Sequence, residues 1–257
     1  MLRFNTITAI FVVLLIALIG IHFFYGFSYY VFAILLVLYA AALAYGSYNV
    51  RSNFYVKTIS SANTPLKQIA ISFDDGPAKD YTPQILQILK EHEVKAAFFC
   101  IGKRIKENED LLKQVHEEGH IIGNHSYSHD LWFDLFSAKK MYEDLQMMNS
   151  VMEKTIGKKP KLFRPPYGVT NPNLKKAIQQ GRYITVGWNI RSMDTVVKDA
   201  RKLLAKVTAS LKPGAVVLFH DTSKTTLDIL SAFIKQAREM GYDIVRLDKL
   251  LNLEPYA

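Results

Sequence analysis

The first fifty residues are apolar almost without relief. Positions 4 to 50 contain no Asp, Glu, Lys or Arg, a run of 47 residues. Within it, 7–25 and 29–45 each approach the roughly 20 residues a helix needs to cross a bilayer's hydrocarbon core. Gly26, Phe27 and Ser28 form a short turn-like bridge, so the pattern predicts two transmembrane helices in a tight hairpin. Tyr25, Tyr29, Tyr30, Tyr45 and Tyr48 fall near the helix ends, where interfacial aromatics are favoured. A cleaved signal peptide would carry one apolar core of about 7–15 residues before a small-residue cleavage site. The observed stretch is too long and too symmetric for that. His22 reads as an interfacial or helix-packing residue.

Beyond Arg51 the periodicity changes. Positions 51–66, with Ser60-Ser61-Ala62-Asn63-Thr64-Pro65, read as a polar linker leaving the membrane. Short apolar runs then alternate with amphipathic stretches. Strands are expected at 68–73, 96–101, 121–124, 162–164, 183–189, 215–220 and 242–247. Helices are expected at 83–92, 108–118, 138–155, 172–180, 196–211 and 226–240. Continuous apolar strands such as 215–219 suggest a sheet covered on both faces. Gly119, Gly181, Gly214 and Gly241 punctuate helix-to-strand returns. The alternation predicts an α/β fold, either an incomplete (β/α) barrel or an open parallel sheet. The organisation is thus a membrane anchor over 1–50, a linker over 51–66 and one domain over 67–251.

Charge adds little to this picture. Arg3 is the one charged residue before Arg51, so the remainder holds 31 Lys and Arg against 23 Asp and Glu, a net of +8. Such a surface is drawn toward anionic headgroups or acidic polymers. No nucleic-acid module is recognisable, and no stacking aromatics alternate with the basic residues. Cys100, the single cysteine, reads as a buried core thiol. The hairpin places both of its ends on one side. Strict positive-inside counting of Arg3, Arg51 and Lys57 would leave the domain in the cytoplasm, although large domains follow that rule poorly.

The chemistry gathers at strand ends. Asp74, His125, Arg164, Asp194 and His220 lie at or just past the C-terminal ends of expected strands, the rim that carries the active site in βα barrels. Asp74 and Asp75 are adjacent, so in extended chain their side chains diverge and can do different work. His125 and His129 have i, i+4 spacing, which brings two imidazoles to one face over a helical turn. Two histidines and one carboxylate suit zinc or another divalent transition metal. His116 and His120 repeat the spacing within an amphipathic helix and its exit, and they read as surface residues, as does His92. Arg164-Pro165-Pro166-Tyr167-Gly168 makes a rigid corner after a strand, where an arginine can pin a carboxylate and backbone N–H groups can serve an oxyanion.

Four runs, Ser72-Phe73-Asp74-Asp75-Gly76-Pro77, His125-Ser126-Tyr127-Ser128-His129, Arg164-Pro165-Pro166-Tyr167-Gly168 and Leu218-Phe219-His220, resemble in order the motifs of the polysaccharide deacetylase family. This family is also called the NodB-homology domain or carbohydrate esterase family four, and the resemblance covers about 68–250. It implies metal-dependent removal of N- or O-acyl groups from a sugar, on a distorted (β/α) barrel. Asp75, His125 and His129 would hold the metal, usually zinc. Asp74 would be the general base toward the metal-bound water, and the backbone N–H of Tyr167 would help stabilise the oxyanion. His220 would protonate the leaving amine, and Arg164 would orient Asp74.

One region departs from the family pattern. Trp188-Asn189-Ile190-Arg191-Ser192-Met193-Asp194-Thr195 keeps one Trp and one Asp where two Asp and a Trp are common. Asp194 could pair with Arg164 or tune His220, and Arg191 could select an acidic substrate. Three readings follow. The first is a membrane-anchored, metal-dependent deacetylase of the cell membrane acting on an N-acylated glycan such as peptidoglycan or an exported polysaccharide, with its domain extracytoplasmic. The second is a deformylase or deacylase of a lipid-linked saccharide at the cytoplasmic face. The third is a glycan-binding protein that has lost catalysis.

Overall fold

The computed structural model describes residues 3–257. The chain opens with α1 (Phe4–Tyr25) and α2 (Tyr30–Tyr48), antiparallel and apolar on all sides. Phe11 stacks on Tyr39 with ring centroids 4.1 Å apart, and Thr8 Oγ1 meets the Tyr39 hydroxyl at 3.0 Å. Both helices are long and apolar enough to span a membrane. α1 begins three residues earlier than the pattern predicts and α2 ends three residues later.

Segment 51–66 is less of a linker than its polar composition suggests. Phe54, Tyr55 and Val56 are buried, and β1 (Thr58–Ile59) is an edge strand paired with β6 (Ile184–Val186). Three hydrophobic residues inside a polar stretch form a wedge that periodicity over so short a window does not reveal.

The remaining strands are β2 (Gln68–Asp74), β3 (Ala97–Cys100), β4 (Ile121–Asn124), β5 (Leu162–Phe163), β7 (Ile190–Arg191), β8 (Ala215–His220) and β9 (Asp243–Ile244). All strand pairings are parallel and run in the order β1-β6-β5-β4-β3-β2-β8-β7, with β9 beside the start of β2. The helices between them are α3 (Thr82–Glu91), α4 (Gly102–Glu107), α5 (Glu109–Glu117), α6 (Ala138–Ile156), α7 (Pro172–Gly181), α8 (Ala200–Ala209), α9 (Lys224–Glu239) and α10 (Leu247–Leu251). The sequence pattern did not reveal β1, β7, α4 or α10. A two-residue strand offers no period to read, and α4 lacks a side-chain cap.

Alternation along the strands sorts residues between two faces. On β2 and β8, Ile69, Ile71, Phe73, Ala215, Val217 and Phe219 point outward into the core under α3, α8 and α9. Ala70, Val216 and Leu218 point inward with Phe99, Val186 and Trp188. The sheet curls into a half-barrel whose concave side is filled from below by Val50, Leu247 and Leu250. The same alternation sends Ser72, Asp74 and His220 to the concave face, at its upper rim.

The hairpin is fastened to this domain. Phe4 packs on Phe54 and Tyr55, with ring centroids 6.2 and 5.2 Å away. Thr170 donates through its N–H to Ser47 O at 3.0 Å and through Oγ1 to Gly46 O at 3.2 Å. Any side chain at Gly46 would run into the Phe54 ring, which is why the helix can approach so closely only there.

Candidate active site

β2 ends at Asp74, whose backbone is in register with His220 on β8. Asp75 follows with φ 77, a left-handed conformation, and both carboxylates approach His125 Nε2, from 3.9 Å for Asp74 and 3.5 Å for Asp75. Gly76 has no room for a side chain because the Asp221 carboxylate fills that space.

The two histidines come from one loop. His125 directly follows β4, but 125–129 is irregular backbone and not the helical turn that the spacing suggested. Ser126 and His129 take positive φ values of 67 and 45. The buried carboxylate of Asp144 on α6 accepts from the N–H groups of Tyr127 (2.7 Å) and Ser128 (3.2 Å), and Asn124 Oδ1 accepts from Ser126 N at 2.8 Å. These fixed acceptors hold a strained loop in one shape.

Asp75 Oδ1 lies 3.5 Å from His125 Nε2 and 3.3 Å from His129 Nε2. Donors each about 2.0–2.1 Å from one tetrahedral ion sit roughly 3.3–3.4 Å apart, so the spacing fits a shared cation. Proton placement agrees. His125 Nδ1 meets the carbonyl of Arg164 at 2.8 Å. A carbonyl only accepts, so Nδ1 carries a hydrogen, the arrangement that in a neutral imidazole leaves Nε2 as the atom available to an ion. Burial first, then the neighbouring His125, pull His129 down to about 4 against the opposing charges of Asp75 and Asp74, which keeps it neutral and able to ligate. Among the described residues this is the one cluster with metal-ligand spacing. Two imidazoles and a carboxylate fit zinc or a similar divalent ion.

Arg164 is wholly buried. Its Nη1 donates to Asp74 Oδ1 at 2.7 Å and to Ser72 Oγ at 2.9 Å, while Nε and Nη2 donate to the carbonyls of Val186 and Gly187. The guanidinium also stacks 4.0 Å over Phe99, with Trp188 5.6 Å away. Asp74 Oδ2 is left pointing toward His125 Nε2, 3.9 Å away. Tyr167 takes φ 58, and its ring packs against that of His129 at 4.7 Å between centroids, tilted by 60°.

Asp194 contacts His220 and not Arg164. Its Oδ1 meets His220 Nδ1 at 2.8 Å, and Oδ2 accepts from the His220 N–H at 2.7 Å. Burial pulls the imidazole down, but the hydrogen bond and charge of Asp194, helped by Asp74 and Asp75, outweigh it and raise His220 to about 9. Ser192 and Thr226 donate to Asp194 as well. Neither was singled out from sequence, although Ser192 at two residues before an Asp was a local signal. Arg191 is exposed and lies 5.9 Å from the Trp188 ring.

The other histidines lie elsewhere. His120 is buried, not a surface residue: its Nδ1 accepts from Ala96 N at 3.0 Å, and burial lowers it to about 4. His92 is half-buried and meets Ser231 Oγ at 2.8 Å. Cys100 is buried, and burial holds its thiol well above the ordinary range.

Comparison with known proteins places this geometry in context. Residues 61–186 match the polysaccharide deacetylase family model. A peptidoglycan-N-acetylglucosamine deacetylase of Bacillus cereus is 36% identical over 191 residues, covering 72% of this chain and 89% of that protein. The peptidoglycan-N-acetylglucosamine deacetylase PgdA of Listeria monocytogenes is 34% identical over 77% of this chain, which spans only 42% of PgdA's length. A crystal structure of a peptidoglycan N-acetylglucosamine deacetylase superposes with a TM-score of 0.73 at 29% identity, over 78% of this chain and 95% of that one.

Proposed function

The chain belongs to the polysaccharide deacetylase family, and from that premise we propose that it is a membrane-anchored hydrolase that removes N-acetyl or related acyl groups from a glycan. The hairpin α1–α2 is the anchor, 67–251 is the deacetylase domain, and the domain faces the extracytoplasmic side, where a cell-wall glycan is found. The observation that carries the reading is the convergence of Asp75, His125 and His129 beside Asp74, with the Asp194–His220 couple at the same rim.

Asp75, His125 and His129 would hold the divalent ion, most suitably zinc. Such an ion supplies Lewis-acid polarisation of the acyl carbonyl and acidifies water for attack. Asp74, fixed by Arg164 through Oδ1, takes the proton from the attacking water at Oδ2. The Tyr167 backbone, turned by its left-handed φ, contributes an N–H toward the developing oxyanion. His220 is charged at neutral pH because its proton is held to about 9, and it donates that proton to the departing sugar nitrogen. The C–N bond breaks, leaving a carboxylate and a free amine. Asp194 positions His220 and stabilises its charged form.

All of these groups are present, which favours catalysis over a binding role. The test is acetate release from N-acetylated peptidoglycan fragments by the purified full chain supplied with zinc. Absence of acetate or formate release across a broad glycan panel would sink the reading. Protease accessibility in intact cells tests the side, since complete protection of the domain excludes the extracytoplasmic placement.

A further inference from the structure

Leu131, Trp132 and Leu135 are 77%, 66% and 71% exposed, a cluster of large apolar side chains on the loop that follows His129. Water is a poor environment for such a patch. Its position points to what covers it. Phe133, in the middle of the loop, is buried in the same apolar cluster as Phe54, Tyr55 and Val56, onto which Phe4, Ile7 and Leu43 of the hairpin also pack. Asn171 Nδ2 donates to Asp134 O, and the adjacent Thr170 holds the last turn of α2. The loop therefore stands beside the point where the helices leave the domain.

Helix length sets the height of that point. The domain covers Phe4 and Ile7, so residues 8–25 of α1 remain to face lipid. At about 1.5 Å per residue, these 18 residues span roughly 27 Å. A hydrocarbon core is about 30 Å thick, so no helix is left over to lift the domain away from the bilayer. A tryptophan flanked by leucines suits the headgroup boundary. Exposed Lys139 and Lys140 follow the loop closely in the chain and supply positive charge, set against the exposed Asp130 on the loop itself.

We propose that Leu131, Trp132 and Leu135 insert into the bilayer interface and hold the catalytic rim against the membrane surface. The inference rests on the hairpin being an anchor. It implies that substrate is taken from saccharide held at the lipid surface, because the loop that carries His129 is also the loop that meets lipid.

The test uses the full chain in phosphatidylcholine–phosphatidylglycerol liposomes, with and without lipids brominated near the headgroup end of their chains. The protein has two tryptophans, so bromine close to Trp132 should remove about half of the emission in the wild type and little in Trp132→Phe. Equal quenching in both proteins overturns the proposal while leaving the deacetylase reading intact. Failure of the wild type to float with liposomes overturns the anchor and this inference together. If a soluble N-acetylglucosamine oligomer shifts Trp132 emission while brominated lipid does not, the patch is a sugar-stacking surface and the proposal fails. Leu131→Gln/Leu135→Gln should weaken Trp132 quenching severalfold, and unchanged quenching counts against the proposal.

Discussion

Asp194 grips His220 twice, one carboxylate oxygen on the imidazole Nδ1 at 2.8 Å and the other on the backbone N–H at 2.7 Å. That double contact fixes both the ring's place and its charge. His220 is raised from the ordinary 6.5 to about 9, so the stability it contributes is fully present below 6.5 and is lost as pH rises through about 9. Turnover that needs the imidazolium should fall over the same upper range. In Asp194→Asn, burial is opposed only by the smaller contributions of Asp74 and Asp75, and the basic limb of kcat/KM should move down from near pH 9. A pH–rate profile with an unmoved basic limb would remove His220 from the acid role.

Asp74→Asn should separate binding from chemistry. General-base removal typically costs about 10²–10⁴ in rate, while the ligand cluster does not include Asp74. Zinc content by atomic absorption should stay near that of the wild type as kcat collapses. Loss of zinc in this variant would reverse the roles of the two aspartates.

Asp75→Ala and His129→Ala should do the opposite and lose the metal first. Each removes one of three donors from the cluster. Zinc affinity measured by chelator competition should fall at least about tenfold. Chelator treatment of the wild type should abolish activity without unfolding the domain, with recovery on adding a divalent ion. Activity that survives metal removal contradicts this model.

Arg164 is the buried centre of the rim, and its replacement should damage stability more than an exposed arginine would. Arg164→Met leaves Asp74 without its partner, and breaking a buried pair this way costs about 3–5 kcal/mol. Lysine keeps the charge but cannot reach Ser72, Asp74, Val186 and Gly187 together. Arg164→Lys should therefore be intermediate in urea unfolding and still strongly impaired in kcat.

Gly46→Leu tests the joint between hairpin and domain. The added side chain meets the Phe54 ring, so α2 must withdraw from the Thr170 contacts. Faster cleavage at Arg51 and Lys57 in limited trypsin digestion is expected, with the metal site intact. Unchanged digestion would show that the close approach is dispensable.

The parts of the site that were legible in the sequence were those set by local grammar. Strand ends could be read because apolar runs stop at Asp74, Asn124 and His220, and parallel pairing then brings those ends to one rim. The loop 125–129 is irregular where its histidine spacing suggests a helical turn, because the groups that shape it are remote. Asp144 lies 17 residues from Tyr127, and no spacing rule links an acidic residue on an amphipathic helix to a loop. His120 looked solvated for a similar reason, since its partner, the N–H of Ala96, is a backbone group with no sequence signature. The roles of Ser192 and Thr226 depend on where Asp194 points, which only the assembled rim decides.

The edge strand β1 has a consequence for how the molecule is made. Thr58 pairs with Thr185, 127 positions further along the chain, and contacts at such separations form late because a long loop must close first. With the hairpin as the proposed anchor, it emerges during synthesis and can enter the bilayer long before its neighbouring strand has a partner. The nascent protein would thus be tethered while Phe54, Tyr55 and Val56 are still uncovered. Final closure of the half-barrel would occur at the lipid surface, with the tether confining the search to a thin layer.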